Sequence, residues 1–182
     1  MPQKTWYDFY KNRMNQSYRN HLAVKYRVFL DFIRERIIKN DADKIHESGC
    51  GCANMSYALK EYEDFITISD ISADMLGLAA DNVKCRKFLR DARKDNFPAV
   101  QIMYSHGLLE HFNDKDIISI VGNQMLYTKE LIHYVPGSKY KTPSFGDERL
   151  LKKEYWQNLC APDKIIEFNN GYDLILYWKS KL

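Results

Sequence analysis

The chain has 182 residues, of which 45% are hydrophobic and 28% are charged, and this ordinary globular usage argues against a disordered chain. A net charge of +3 permits an anionic partner without requiring one, so a nucleic-acid partner is allowed but not indicated. Long apolar runs are missing, and the four cysteines do not resemble a secreted disulfide framework. We therefore expect a cytoplasmic protein with reduced thiols and no membrane association.

The first forty residues of the chain show the hydrophobic periodicity of helices. Within "YRNHLAVKYRVFLDFIRERIIKN" (18–40), apolar residues recur mostly at spacings of three and four, interleaved with Arg and Lys. We expect residues 1–40 to form a helical extension that packs on a single domain spanning residues 1–182.

Short strand-like segments then alternate with helix-like ones. The strand-like segments are centred near residues 46, 67, 102 and 133 and are separated by longer segments of helical composition. This alternation predicts an α/β fold, a three-layer sandwich with a mostly parallel sheet. Near the end, Asn169-Asn170-Gly171 separates two strand-like runs with no room for a crossover helix, which predicts an antiparallel hairpin at one sheet edge.

The stretch "HESGCGCANMSYAL" (46–59) joins the first predicted strand to the helix after it. Gly49 and Gly51 allow a sharp turn and a close approach of a ligand to the backbone. The helix that starts near Ala53 would point its free N–H groups at that ligand. Asp70 closes the second predicted strand, where a carboxylate accepts both hydroxyls of a ribose. The pattern favours a nucleoside-containing ligand over bare turn geometry.

Two residues of the same stretch indicate which class of nucleoside-containing ligand it could bind. A dinucleotide fingerprint has a third glycine where this chain has Asn54. The carboxylate of Glu47, two residues before the first glycine, is unfavourable beside a pyrophosphate and suits a ligand with positive charge, such as an amine or a sulfonium. Both features disfavour NAD.

The cysteines of the loop also raise the question of a metal site. Cys50, Cys52 and His46 are close in sequence, but a structural zinc normally has four ligands, and Cys85 and Cys160 are isolated. We expect no metal, and we expect the thiols to pack behind the loop as small apolar groups.

Four segments in order resemble the motifs of the class I, Rossmann-like S-adenosylmethionine-dependent methyltransferases. They are "ESGCGCA" (47–53), "SDISADML" (69–76), "FLRDARKDNFP" (88–98) and "VQIMYSHGLLEHF" (100–112). The resemblance runs from about Asp43 to Lys179, and Ala53 replaces the usual third glycine. It implies a seven-stranded sheet with a C-terminal antiparallel hairpin, and S-adenosylmethionine as cofactor.

Roles implied by this resemblance follow the strand ends. Gly49-Cys50-Gly51 would line the methionine and ribose portion of the cofactor, with Glu47 near the ammonium end. Asp70 would hold the ribose hydroxyls, and Ile71 would lie against the adenine face.

Further along the chain, the resemblance implies that Asp91 accepts from the adenine amino group, with the Ala92 N–H directed toward a ring nitrogen. Ser105 and His106 would lie beside the sulfonium, at the end of the fourth strand.

The catalytic candidates are two histidines of "HGLLEHF" (106–112). His106 or His111 is suited to act as a general base or to orient the acceptor, because an imidazole titrates near neutral pH. In the alternative interpretation, Glu110 and His111 only organise the loop before the next helix. Methyl transfer from a sulfonium is a direct displacement, which positioning alone can accelerate.

The segment after the fifth strand supplies the acceptor-side candidates. Its Pro, Gly and Ser content predicts a loop, and "ERLLKKEYW" (148–156) predicts a helix. In the resembled family such an insertion often covers the acceptor, which makes candidates of Tyr140, Phe145 and Arg149. A solvated, charged helix is the alternative.

The sequence therefore predicts an S-adenosylmethionine-dependent methyltransferase with a small-molecule acceptor. One alternative is a catalytically silent module that binds S-adenosylmethionine and acts as a regulator or partner subunit. The other is a nicotinamide-dependent oxidoreductase, which Asn54 and the terminal hairpin disfavour.

Overall fold

The computed structural model describes residues 5–143 and 146–180. The chain forms two compact units, one that ends at Asp91 and one that begins at Ala92. Among the described residues, every helix is too short or too polar to cross a membrane. The expectation that residues 1–182 act as one domain with a packed helical extension stays a prediction.

Unit 1 has five helices in its described part. They are α1 (Trp6–Tyr10), α2 (Gln16–Lys25), α3 (Arg27–Asn40), α4 (Asn54–Ala58) and α5 (Ala73–Ala80). A 3-10 turn, Lys60–Phe65, follows α4, so the predicted helix of that segment is split into two pieces.

The breaks between the first three helices have local causes. Thr5 and Asp8 form a reciprocal capping box at the start of α1. Asn15 caps α2 by accepting the backbone N–H of Tyr18 at 2.9 Å. Tyr26, at φ −100° and ψ 20°, separates α2 from α3, and Asp41 ends α3 in the left-handed conformation.

Three parallel strands complete unit 1, in the order β3-β2-β1. Their bounds are β1 (Ile45–Ser48), β2 (Ile66–Asp70) and β3 (Arg86–Leu89). The register pairs Ser48 with Ser69, and Asp70 with Leu89. The carboxyl ends of the strands, where the sequence predicts a ligand, therefore lie at one edge of this part of the sheet.

Unit 2 contains two helices and four strands in its described part. They are β4 (Val100–His106), α6 (Asp114–Met125), β5 (Thr128–Pro136), α7 (Lys153–Cys160), β6 (Lys164–Phe168) and β7 (Asp173–Lys179). β4 and β5 are parallel, whereas β7 pairs antiparallel with both β5 and β6.

The predicted fold class is confirmed. The seven strands form one mostly parallel sheet with helices around it, and the last two strands make the expected antiparallel hairpin. Asn169, Asn170 and Gly171 turn the hairpin with φ values of 48°, 57° and 79°. Asn and Gly tolerate these left-handed conformations best, which explains why this turn could be located from sequence.

The core of unit 2 is built around Trp156 of α7. This side chain is fully buried in a cluster with residues of β4, β5, β7 and α6, such as Met103, Leu131, Ile120 and Leu176. Burial of so large a side chain fixes the position of α7.

Replacing Trp156 by Ala should lower the free energy of unfolding by about 3–5 kcal/mol, because a large cavity is left in a close-packed core. Urea denaturation followed by circular dichroism measures this change. Leu126→Ala is the matched control, since Leu126 is 77% exposed and its truncation should change stability by less than about 0.5 kcal/mol. A loss below about 1 kcal/mol for Trp156→Ala would contradict the placement of α7.

Candidate functional site

The glycine loop after β1 is a run of left-handed backbone conformations. Gly49, Gly51 and Ala53 have φ values of 63°, 54° and 59°. The loop is fixed by two backbone hydrogen bonds, from Cys50 N to Ser69 O at 2.9 Å and from Ala53 N to Cys50 O at 2.8 Å. Ala53 occupies a conformation that costs a residue with a Cβ about 1 kcal/mol or more, so the usual glycine would be less strained there.

Asp70 links this loop to the end of β2. Its Oδ2 accepts the backbone N–H of Gly51 at 2.8 Å, and its Oδ1 accepts the backbone N–H of Ser72 at 2.9 Å. Burial raises the pKa of Asp70, and these backbone hydrogen bonds oppose the rise. Each oxygen retains a second lone pair, so the carboxylate can also accept from a pair of ligand hydroxyls.

Glu47 is turned toward the start of α4. The residue is 2% exposed, and its carboxylate accepts from both the backbone N–H and the hydroxyl of Ser56. One N–H at the start of α4 is therefore satisfied inside the protein, instead of pointing at a ligand as expected. The predicted role of Glu47 near a ligand ammonium stays a prediction.

Two apolar side chains are exposed beside Asp70. Ile71, predicted to lie against an adenine, is 62% exposed, and Leu89 is 63% exposed. The sequence does not indicate Leu89, although the register of β2 and β3 places it opposite Asp70.

Asp91, the predicted adenine acceptor, is buried at the end of unit 1. The backbone just before it is tied to β2, since Arg90 N donates to Asp70 O at 2.9 Å.

The cysteines of the loop are buried thiols. Burial raises the pKa of Cys50 well above its ordinary value and that of Cys52 to about 12. The Cys52 thiol contacts Met14 Sδ at 3.4 Å and accepts from Asn54 Nδ2 at 3.2 Å. Within the described residues, no group of three or more His, Cys, Asp and Glu side chains could hold a metal ion.

At the end of β4, Ser105 and His106 are consecutive and therefore point to opposite faces of the sheet. The buried Ser105 hydroxyl is hydrogen-bonded to His133 Nδ1 on β5 at 2.5 Å. His133 is fully buried, and burial lowers its pKa to about 3. The imidazole of His106 stacks on Tyr134, with ring centroids 4.3 Å apart and planes within 9°.

An open surface cavity of about 590 Å³ lies beside the loop that follows β4. It is lined by His111, Phe112, Asn113, Asp114, Lys115, Asp147 and Arg149. His111 Nδ1 lies 2.9 Å from Asp147 Oδ1, so an acidic partner that sequence reasoning missed orients the imidazole. Two predicted residues, His111 and Arg149, are thereby brought to one cavity.

Arg149 holds the segment after β5 against this loop. Its guanidinium donates to Phe112 O at 2.8 Å and to Asp114 Oδ1 at 2.7 Å, and its backbone N–H donates to Glu110 O at 2.9 Å. These bonds keep residues 149–152 out of a helix. The helix predicted for 148–156 therefore begins only at Lys153.

Tyr140 belongs to a separate buried network. The hydroxyls of Tyr134 and Tyr140 both donate to Asp173 Oδ1, at 2.7 and 3.0 Å, and Asn169 donates to Oδ2 at 2.6 Å. Burial, together with the charge of Asp173, raises the pKa of Tyr140 well above its ordinary value. Phe145, the remaining acceptor-side candidate, and its neighbour at 144 lie outside the described residues.

No protein-family model and no curated protein sequence matches the chain. Solved structures match it in fold. An S-adenosylmethionine-dependent methyltransferase from Clostridium acetobutylicum ATCC 824 aligns with a TM-score of 0.68 and 14% identity, over 88% of this chain and 96% of its own. Magnesium protoporphyrin IX methyltransferase from Synechocystis PCC 6803 gives 0.64 and 14%, over 91% and 87%.

An O-methyltransferase family protein from Burkholderia thailandensis aligns with a TM-score of 0.67 and 11% identity, over 96% of this chain and 62% of its own. Likeness at such identities is a likeness of fold. The chain has the fold of the class I S-adenosylmethionine-dependent methyltransferases, as its sequence motifs predicted.

Replacing Glu110 by Gln should flatten the pH dependence of unfolding. Burial raises the pKa of this carboxyl, which is 2% exposed, from 4.5 to about 8, and Glu148 and Asp147 add to the rise. The protonated carboxyl stabilises the fold fully below about pH 4.5, and this contribution is lost as the pH rises toward 8. The native protein should lose on the order of 4 kcal/mol more than Glu110→Gln across this range.

Urea unfolding at several pH values measures the difference between the two proteins. Glu154→Gln, which removes an exposed carboxylate of α7, should keep the native pH dependence. Equal slopes for the native protein and Glu110→Gln would show that Glu110 is not protonated in the fold.

Proposed function

We propose that this protein is a methyltransferase that uses S-adenosylmethionine and methylates a small molecule. The observation that carries the proposal is the Asp70 carboxylate, held by the N–H groups of Gly51 and Ser72 at the strand end beside a left-handed glycine loop. Structures of the Synechocystis magnesium protoporphyrin IX methyltransferase contain SAH or SAM. A fold shared with such proteins supports the same cofactor here.

The residues of unit 1 suit this cofactor. Asp70 has lone pairs for two ribose hydroxyls, and Ile71 and Leu89 offer exposed apolar surface to an adenine. The buried Glu47 contributes negative charge behind the loop, which favours a cationic ligand over a pyrophosphate. When bound, S-adenosylmethionine supplies an electrophilic methyl carbon.

Further cofactor contacts are proposed from the sequence resemblance. Gly49-Cys50-Gly51 would line the methionine and ribose portion, and Asp91 and Ala92 would bind the adenine. Ser105 and His106 would lie by the sulfonium. The fixed backbone of the loop and the hydrogen bond from Ser105 to His133 support this assignment, because both make the strand ends rigid.

A small-molecule acceptor is supported by the open surface cavity beside His111, whose volume of about 590 Å³ would accommodate one. We assign the general-base role to His111. Asp147 holds its Nδ1, and Nε2 then takes the proton that the acceptor nucleophile releases. Tyr140, Phe145 and Arg149 are the proposed acceptor-side residues. Four free cysteines support a cytoplasmic location.

Asp70→Asn should weaken binding of S-adenosylmethionine at least about 10-fold, because the ribose hydroxyls lose a charged acceptor. Calorimetric titration with S-adenosylmethionine, SAH and NAD measures the change and the ligand class. Asp74→Asn is the matched control, as it removes an exposed carboxylate in the first turn of α5. Unchanged affinity in Asp70→Asn, or binding of NAD alone, would overturn the proposal.

His111→Asn should lower kcat about 10²–10⁴-fold, because the acceptor loses its proton acceptor. The assay follows SAH release over a panel of small molecules, and uses the first acceptor found. Asp147→Asn should give a smaller loss together with a changed pH profile, since the imidazole loses its orienting carboxylate. His21→Asn on α2 is the exposed control. Native kcat and pH profile in His111→Asn would exclude a general base at this position.

A further inference from the structure

The two faces of the unit 1 sheet differ sharply in what covers them. On one face, Glu47 bonds Ser56 of α4, and Arg34 of α3 donates to Ala58 O at 2.8 Å. The connections β1-α4-β2 and β2-α5-β3 advance in the same direction across the sheet, so right-handed crossovers place α4 and α5 on this same face. The described helices of unit 1 that pack on its strands therefore share one face.

The opposite face carries polar and cationic side chains. The register aligns His46 with Thr67 and Arg86, and Ser69 with Phe88, so these residues point to the same side. His46 is fully buried between two hydroxyls, with Nδ1 2.9 Å from Thr67 Oγ1 and Nε2 2.8 Å from Ser69 Oγ. A buried histidine whose two ring nitrogens are hydrogen-bonded is a polar group, so this face of the sheet is not packed as an apolar core.

At the β3 edge of this face, Arg86, Phe88 and Arg90 form what we call the cationic strip. Arg86 and Phe88 of β3 and Arg90, the residue after its end, alternate in sequence. The guanidinium carbons of the two arginines lie 4.9 and 4.8 Å from the centroid of the Phe88 ring. Neither guanidinium forms an ion pair within residues 5–143 and 146–180. The segment "KCRKFLR" (84–90) contains no carboxylate, and β3 is the outermost strand of the sheet.

Arg86 and Arg90 hold their guanidiniums against the Phe88 ring in an arrangement that suits an anionic partner. Stacking on Phe88 restricts the side chains before binding, which lowers the ordering cost. Because the two guanidinium carbons lie 4.9 and 4.8 Å from the same ring centroid, they are less than about 10 Å apart. Both charges can therefore contact phosphates of one extended single strand.

We propose that the Arg86–Phe88–Arg90 strip binds the backbone of single-stranded nucleic acid. The guanidiniums contact phosphates, and their planes offer surface on which bases stack. A carboxylate-rich peptide would use the charges but would gain little from a stacked aromatic platform. The proposal concerns a binding surface and does not depend on the acceptor or on the methyltransferase activity.

Fluorescence anisotropy tests the proposal with a labelled single-stranded RNA of about 12 nucleotides, at several salt concentrations and without cofactor. The double variant Arg86→Ala/Arg90→Ala should bind at least 10-fold more weakly. The slope of log affinity against log salt should also become about 1.4 less steep, because two phosphate contacts are lost. Phe88→Leu keeps both charges, so its affinity should fall several-fold with the native salt slope.

The control Arg27→Ala/Lys39→Ala removes two exposed cations of α3 and should bind RNA as the native protein does. An equal loss in this control would mean diffuse charge and would overturn the strip as a site. Equal competition by a polyglutamate peptide of matched charge would favour an acidic protein partner instead. The Arg86→Ala/Arg90→Ala variant could instead bind RNA as the native protein does and self-associate through β3. That result would overturn the proposal and would show that the arginines only protect the edge strand from pairing with another chain.

Discussion

The two hydrogen bonds that Asp70 accepts are the constraint on which the proposed cofactor site depends. One ties the carboxylate to Gly51 and the other to Ser72, so a single side chain fixes the glycine loop, the end of β2 and the entrance to α5. Ser72 also caps α5 by accepting the N–H of Met75. The loop geometry and the acceptor for a ligand are therefore set by the same group.

The same arrangement explains why a loop rich in glycine is not a phosphate loop here. Phosphate-binding loops present several unsatisfied N–H groups to the anion. In this protein the N–H of Gly51 is bonded to Asp70, and the N–H of Ser56, in the first turn of α4, is bonded to Glu47. Two carboxylates occupy the donors that a pyrophosphate would need, and their negative charge favours a cationic nucleoside.

Much of the fold could be predicted because its signals are local. Alternation of strand-like and helix-like segments predicted the sheet, Asn-Gly predicted the hairpin turn, and the spacing between Gly51 and Asp70 indicated the carboxylate that we propose as the ligand acceptor. The position of Leu89 beside Asp70 could not be predicted, because it depends on the register of β2 and β3, which no short sequence pattern encodes.

The proposed acceptor side was harder to predict because long-range contacts shape it. Asp147 reaches His111 from 36 residues away, and Asp173 gathers two tyrosines from other segments. The start of α7 was misplaced because Arg149 is held by Glu110 and Phe112, and tertiary hydrogen bonds of this kind override local helix preference. The unequal coverage of the sheet faces likewise depends on topology.

The contact between Met14 and Cys52 joins the N-terminal helices to the glycine loop through two sulfur atoms. Thioethers oxidise to sulfoxides, which are polar and chiral, and a half-buried methionine is within reach of small oxidants. A sulfoxide at Met14 would place a polar oxygen against a buried thiol whose raised pKa keeps it uncharged and unreactive. Oxidative damage at one N-terminal side chain would therefore reach the loop proposed to hold the cofactor, while Cys52 itself is protected.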